Sequence, residues 1–375
     1  MSTIDLVILV VYVVGVTIFG MSFAREASTP AGFTAANRNL PGWLVGLSIF
    51  GTFLSSISFL ALPGKAFTDG FAPFAFSLSL PLAAWAAVRW FAPLYRSTGD
   101  VSAYAYLERR FGLWARLYAM TCYLLTQVAR TGTILYLVAL ALAPFTGWDV
   151  ATLIVVTGVL VTAYTVIGGI EAVIWTDAVQ SVVLTLGAVV SLLYLLFAAP
   201  VGPWEMVATA KEAGRFSLGS FAFDLTAAGF WTVFLYGLAI NLQNFGVDQS
   251  YVQRYVTAAS MADARRSIWL GGLLYLPVSA LFLLIGALLY AWYAHAGGLP
   301  TDITPDKIFP MFIAAELPTG LVGIVLAALF SAALSSIDTS LNSSATILMS
   351  DVYLRFVRPD ADDRATMRFL YGASL

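Results

Sequence analysis

The sequence predicts an all-α, polytopic membrane protein, and three observations carry that prediction. Of 375 residues, 60% are hydrophobic and only 11% charged, with a mean hydropathy of +0.85. Soluble domains run at about 45–50% apolar and about 25% charged, so this chain lacks the polar surface to stay dissolved in water. The apolar residues gather in nine stretches, each near or above the ~20 residues a helix needs to cross a bilayer. The stretches are continuous and do not alternate, which excludes a transmembrane β-barrel.

The stretches fall at 4–23, 41–62, 71–92, 116–144, 148–168, 171–199, 226–253, 266–295 and 318–346. The first could pass for a signal peptide. It has no basic n-region, and no small-residue cleavage site closes a short apolar core, so it reads as a true span. The second runs Gly51-Thr-Phe-Leu-Ser-Ser-Ile-Ser58, and clustered Gly and Ser weaken helix continuity. The fourth carries Arg130, the sixth Asp177 and the seventh Asn241. The ninth starts at Pro318, where a first-turn proline is tolerated. The longest loops lie near 200–225 and 296–317. The second holds Pro300, Pro305 and Pro310 and is expected to form an extracellular lid-like segment.

Basic residues orient the spans. Fourteen, from Arg25 to Arg368, fall on one side; Lys65, Lys211, Arg215 and Lys307 fall on the other. The larger group includes Arg96, Arg116 and Arg254. This places the N-terminus outside and the C-terminal tail in the cytoplasm. A formal net charge of -2 points to no polyanionic partner, nucleic acid included. One cysteine, Cys122, and one histidine, His295, exclude a disulfide framework, a two-histidine metal site and a histidine relay. No histidine–nucleophile constellation supports an enzyme.

Ionisable groups at membrane depth are costly, and each is a functional candidate. At a rise of about 1.5 Å per residue, Arg130, Ser55 and Asn241 converge near the midplane. An interrupted second span would free backbone carbonyls for a cation there; small residues packing helices closely is the alternative. The ninth span carries Ser335, Ser336, Asp338 and Thr339. Ser335 shares a helix face with Asp338 and Thr339, and a hydroxyl ridge with one carboxylate suits a cation that takes oxygen ligands. Asp177 and Asp338 both fall in the inner half, as an ion site or as interfacial acids. Arg130 keeps its charge, and its fork matches a carboxylate. The alternative is a structural arginine paired with Asp177, Asp338 or helix-end carbonyls.

Three motifs lie in order along the chain. They are Gly168-Gly-Ile-Glu-Ala-Val-Ile-Trp175-Thr-Asp177-Ala-Val-Gln180, Gly246-Val-Asp248-Gln-Ser-Tyr-Val-Gln253-Arg254-Tyr255, and the segment from Ala332 to Asp351. With them the chain resembles the sodium:solute symporter family, which includes sodium/glucose cotransporters, proline symporters and bacterial sialic acid symporters. The resemblance implies a LeuT-like inverted-repeat fold in one transmembrane transporter domain spanning 1–375. Its parts are a leading helix at 4–23, a first repeat at 41–199 and a partial second repeat at 226–375. The incomplete repeat reads as a fragment or a truncated gene product.

By the same resemblance a sodium site falls on Gly51, Leu54, Ala332, Ser335 and Ser336. A second sodium site falls on Asp177, Ser335, Asp338 and Thr339, with Asp338 standing where a hydroxyl is expected. Solute positions fall on Ser55, Ser58, Ser77, Arg130, Asn241 and Asn244. Ser58 and Ser77 are short where galactose-type members carry long polar ligands, and Arg130 is similar to the carboxylate-binding arginine of the sialic acid symporters. The implied function is sodium-coupled symport of a small carboxylate-bearing solute, a sialic acid or another sugar acid or monocarboxylate, across the cell membrane. Sodium is the coupling ion, and solute, sodium and the bilayer are the partners. A symporter of neutral sugars or amino acids, or a sensor module of the same fold, are the alternatives.

Overall fold

The computed structural model describes residues 2–298 and 304–375. Among these residues every regular element is helical, apart from one isolated bridge between Leu40 and Ala258. Pro300 lies outside the described residues.

The leading helix α1 is Thr3–Met21, started by a capping box in which Ser2 and Asp5 satisfy each other's backbone N–H groups. The second span is two helices, α2 (Gly42–Phe53) and α3 (Ser56–Asp69), bent by 59°. Leu54 and Ser55 between them are extended, with φ/ψ of −100°/107° and −104°/168°. Ser55 then caps α3 by accepting from the Ser58 N–H at 3.3 Å. The interruption expected from the Gly/Ser cluster is present.

Next come α4 (Phe74–Thr98), the short α5 (Tyr104–Phe111), and α6 (Leu113–Thr146), followed by α7 (Val150–Phe197). The expected fifth and sixth spans are one continuous run in α7, divided at Gly169, whose φ is 57°. A Cβ at Gly169 would stand 2.9 Å from Phe33 Cα. Glycine is required there by both its left-handed backbone and the close approach.

After α8 (Pro203–Glu212), the seventh span is again two helices, α9 (Phe230–Val247) and α10 (Gln249–Thr257). The break falls at Asp248, seven residues beyond Asn241, and the Asp248 side chain caps α10 through the Ser250 N–H at 2.8 Å. Arg96 donates to the carbonyls of Tyr255, Val256 and Ala258 at 3.3, 3.2 and 2.7 Å, so a cation from α4 seals the C-terminal end of α10.

The remaining helices are α11 (Met261–His295), α12 (Pro305–Ala315), α13 (Leu321–Val357) and α14 (Asp363–Ala373). The segment expected to be lid-like therefore carries a helix, α12, which packs on α3. At the foot of the neighbouring helix, His295 Nε2 meets Thr209 Oγ1 at 2.9 Å.

Helix α13 is the centre of the molecule: 89% of its most apolar window is buried, against 22% for α6. It packs chiefly on α7, and α1 lies against both. Asp5 of α1 accepts from the Gly320 and Gly323 N–H groups at 2.7 and 2.9 Å, capping α13 from a different helix. Gly320 itself offers no side-chain cap, so the carboxylate meets otherwise orphan donors at the positive end of the helix.

Candidate functional site

The α2–α3 break faces the middle of α13. A narrow crevice there is lined by Gly51, Leu54, Gln180, Ser181, Leu184, Ser331, Ala332 and Ser335. Four of the five residues expected to hold sodium, Gly51, Leu54, Ala332 and Ser335, are thus brought together. Ser336 is buried beside them, its hydroxyl donating to the Ala332 carbonyl at 3.1 Å. Carbonyl and hydroxyl oxygens suit a hard cation.

Behind the crevice lies a buried polar cluster. Asp177 is fully enclosed and accepts at Oδ1 from Ser335 Oγ at 2.6 Å. Its Oδ2 accepts from Ser48 Oγ at 2.5 Å and from Arg254 Nη2 at 2.7 Å. Arg254 Nη2 also donates to Thr339 Oγ1 at 2.5 Å. Asp338 turns elsewhere. Its Oδ2 accepts from Tyr164 OH at 2.7 Å and from Thr176 Oγ1 at 3.4 Å, and its Oδ1 from the Thr339 N–H at 2.6 Å. Asp177, Ser335 and Thr339 of the expected second sodium set therefore meet around a guanidinium, and Asp338 meets neutral donors.

Arg254, expected among the loop charges that orient the spans, is instead 1% exposed and paired with Asp177. Arg116 is likewise buried, in ion pairs with Glu108 and Asp351. A charge that compensates an internal acid does not report which side of a membrane it faces.

The positions expected to hold solute are spread over α3, α4, α6 and α9. Ser55 and Ser58 share the first turn of α3, with hydroxyls 3.5 Å apart. Ser77 is buried on α4, and Asn241 of α9 donates from Nδ2 to Ser79 Oγ at 3.0 Å, its Oδ1 having no partner among the described residues. Asn244 is half-buried one turn further on.

Arg130 is half-buried at the middle of α6 and makes no hydrogen bond or ion pair among the described residues. It pairs with neither Asp177 nor Asp338. On its helix, Tyr123 bonds Ser250 and Ser343 at 2.7 Å, and Gln127 accepts from Ser340 at 2.7 Å. Positions 123, 127 and 130 share a face, so Arg130 extends the edge that meets α10 and α13.

The sequence alone pointed to no site role for Ser48, Tyr164, Gln180 or Arg254. Gln180 and Arg254 lie in the quoted motifs. Ser48 is a single polar residue in an apolar run and Tyr164 stands between Thr162 and Thr165, and the signal for each was only its presence at membrane depth. A wider apolar groove of about 380 Å³, among whose lining residues are Leu6, Val10, Leu142, Trp148 and Phe330, contains none of the expected site residues.

The comparisons with known proteins agree with this architecture. The sequence profile of the sodium:solute symporter family matches residues 33–375. The sodium/sialic acid symporter SiaT of Proteus mirabilis is 34% identical over 360 residues, covering 95% of this chain and 72% of the relative. NanT of Aliivibrio fischeri, also a sodium/sialic acid symporter, is 32% identical over 355 residues, covering 94% and 70%. A solved structure of a Na+-coupled sialic acid symporter, substrate-bound and outward-open with a novel Na+ site, aligns with a TM-score of 0.96 at 31% identity. It covers all of this chain and 79% of that one. Mhp1, a nucleobase-cation-symport-1 family transporter, aligns with a TM-score of 0.56 at 18% identity, which speaks for the LeuT-like fold alone. By sequence and by fold, this chain belongs to the sodium:solute symporter family.

Proposed function

We propose that the chain uses the sodium gradient to import a carboxylate-bearing solute, a sialic acid or a similar sugar acid, as a multi-pass protein of the plasma membrane with its N-terminus outside. The observation that carries the solute class is Arg130, a half-buried cation at mid-membrane with no partner among the described residues. A fixed guanidinium left open beside polar side chains suits a carboxylate. The names of SiaT, NanT and the aligned solved structure support the same reading.

In this proposal sodium enters from outside and is held in the crevice by the Gly51 and Leu54 backbone, the Ala332 carbonyl and the Ser335 and Ser336 hydroxyls. It thereby braces the α2–α3 break against α13. Ser55, Ser58, Ser77, Asn241 and Asn244 hold the neutral groups of the solute. The repeat division into 41–199 and 226–375 supplies the two bodies that rock against each other. Ion and solute assist each other because both favour the same state. One charge moving through 100 mV contributes about 2.3 kcal/mol to the drive.

The test is uptake of labelled sialic acid into proteoliposomes under an inward sodium gradient. Uptake is expected to vanish when choline replaces sodium, and uptake that persists unchanged would sink the proposal. Arg130→Ala is expected to abolish solute binding while leaving sodium-dependent stabilisation in place. Loss of both would make the arginine structural.

A further inference from the structure

The residues expected to hold a second sodium ion already hold a cation. Arg254 Nη2 donates to Asp177 Oδ2 and Thr339 Oγ1 at 2.7 and 2.5 Å. Its Nε donates to Ser48 Oγ at 2.7 Å, and its Nη1 to the Ser250 carbonyl at 2.6 Å. The side chain is 1% exposed and that of Asp177 fully enclosed.

A sodium ion needs the same oxygen lone pairs that these N–H groups occupy. Asp177 receives three donors, from Ser48, Arg254 and Ser335. Thr339 Oγ1 donates to the Ser335 carbonyl at 2.6 Å while it accepts from Arg254. Asp338, the remaining member, points both oxygens at Tyr164, Thr176 and the Thr339 N–H. Every carboxylate oxygen of Asp177 and Asp338 thus already accepts at least one donor, and the free lone pairs of Ser335 lie where it lines the crevice.

We propose that Arg254 is a tethered cation that stands in place of the second sodium, so that this chain binds one sodium ion, in the α2–α13 crevice. The proposal rests on the sodium-symport reading above. The arginine also sets the geometry of that crevice. It holds Asp177, the Ser335 hydroxyl donates to Asp177, and the lone pairs of Ser335 are left free on the side where it lines the crevice. The counter-charge to Asp177 then travels with the protein and never has to be drawn from solution.

The test uses the purified full chain, with choline chloride holding ionic strength constant. Two quantities are read: equilibrium binding of labelled sodium, and the sodium dependence of the unfolding midpoint. Wild type is expected to bind one ion. Arg254→Gln, which removes the guanidinium and leaves Asp177 without its counter-charge, is expected to bind two. Each ion bound only by the folded state adds one unit to the slope of stability on the logarithm of sodium, so that slope should double. Two ions on wild type, or one on Arg254→Gln, would overturn the proposal. If Arg254→Gln does not fold, the wild-type count decides, and Asp177→Asn is expected to leave that count at one. Wild type that binds no sodium refutes the symport reading instead, which is a different outcome from two.

Discussion

Gly51 is small because oxygens stand where a side chain would begin. A Cβ there would lie 2.7 Å from Ser181 Oγ and 3.3 Å from Ser335 Oγ. Alanine is the better helix former by about 1 kcal/mol, so Gly51→Ala should leave the helix intact and disturb the crevice. We expect it to weaken sodium about tenfold, equivalent to roughly 1.4 kcal/mol, read as a rise in the sodium concentration that half-shifts the unfolding midpoint. An unchanged half-point would remove Gly51 from the ion site. At this scale the sequence was partly legible. Asp177, Ser335 and Thr339 stood out as polar residues in apolar runs, and Ser335 and Thr339 share a helix face. Arg254 did not stand out, because it closes an apolar run and looks like a loop charge. Its partners Asp177 and Thr339 lie 77 and 85 residues away, and only the folded chain brings them to it.

At the scale of the element, α5 is joined to the C-terminal end of α13. Arg116 donates to Glu108 and Asp351 at 2.6 Å each, Ser102 donates to Asp351 at 2.8 Å, and Arg355 of α13 donates to Glu108 at 2.8 Å. The hydrogen bonds from Arg355 and Arg116 hold the Glu108 carboxyl below the usual glutamate range. A lowered folded-state pKa contributes stability that is present above the unfolded value and is lost as pH falls through the folded one. The unfolding midpoint should therefore drop as pH falls below about 4.3, the ordinary glutamate value. Glu108→Gln should lack that component of the drop, and an identical pH profile would show that the clasp contributes nothing measurable. The cap at the other end of α13 makes its own prediction. Asp5→Ala should cost about 1 kcal/mol, seen as a lower unfolding midpoint with unchanged sodium dependence. The breaks were unequally legible. Gly and Ser announced the α2–α3 break. The α9–α10 break sits at Asp248, whose capping of α10 shows only once the chain has turned there.

At the scale of the molecule, the spans were legible because burial in lipid demands long apolar runs, and that demand is written locally. Which helix sits at the centre was not written locally. The most enclosed span, α13, is also rich in hydroxyls and small side chains, which let α7 approach closely: a Cβ on Gly187 would fall 2.3 Å from the Ala328 Cβ. Enclosed arginines such as Arg116 and Arg254 likewise look like loop arginines until the fold pairs them with Asp351 and Asp177. One expectation belongs to the molecule as a whole. If sodium tightens solute binding by some factor, solute must tighten sodium binding by the same factor. Paired titrations on one preparation that give unequal factors would refute a shared two-state origin for the coupling.

The carboxylate of Asp5 and the amide of Gly320 are separated by 315 residues. At roughly 5–20 residues per second of synthesis, α1 leaves the ribosome about 15–60 seconds before the helix end it caps. Throughout that interval the first span sits in lipid with its acid unanswered, held only by its own first turn. The contact can form only after Gly320 has been made, and closing it marks the arrival of α13.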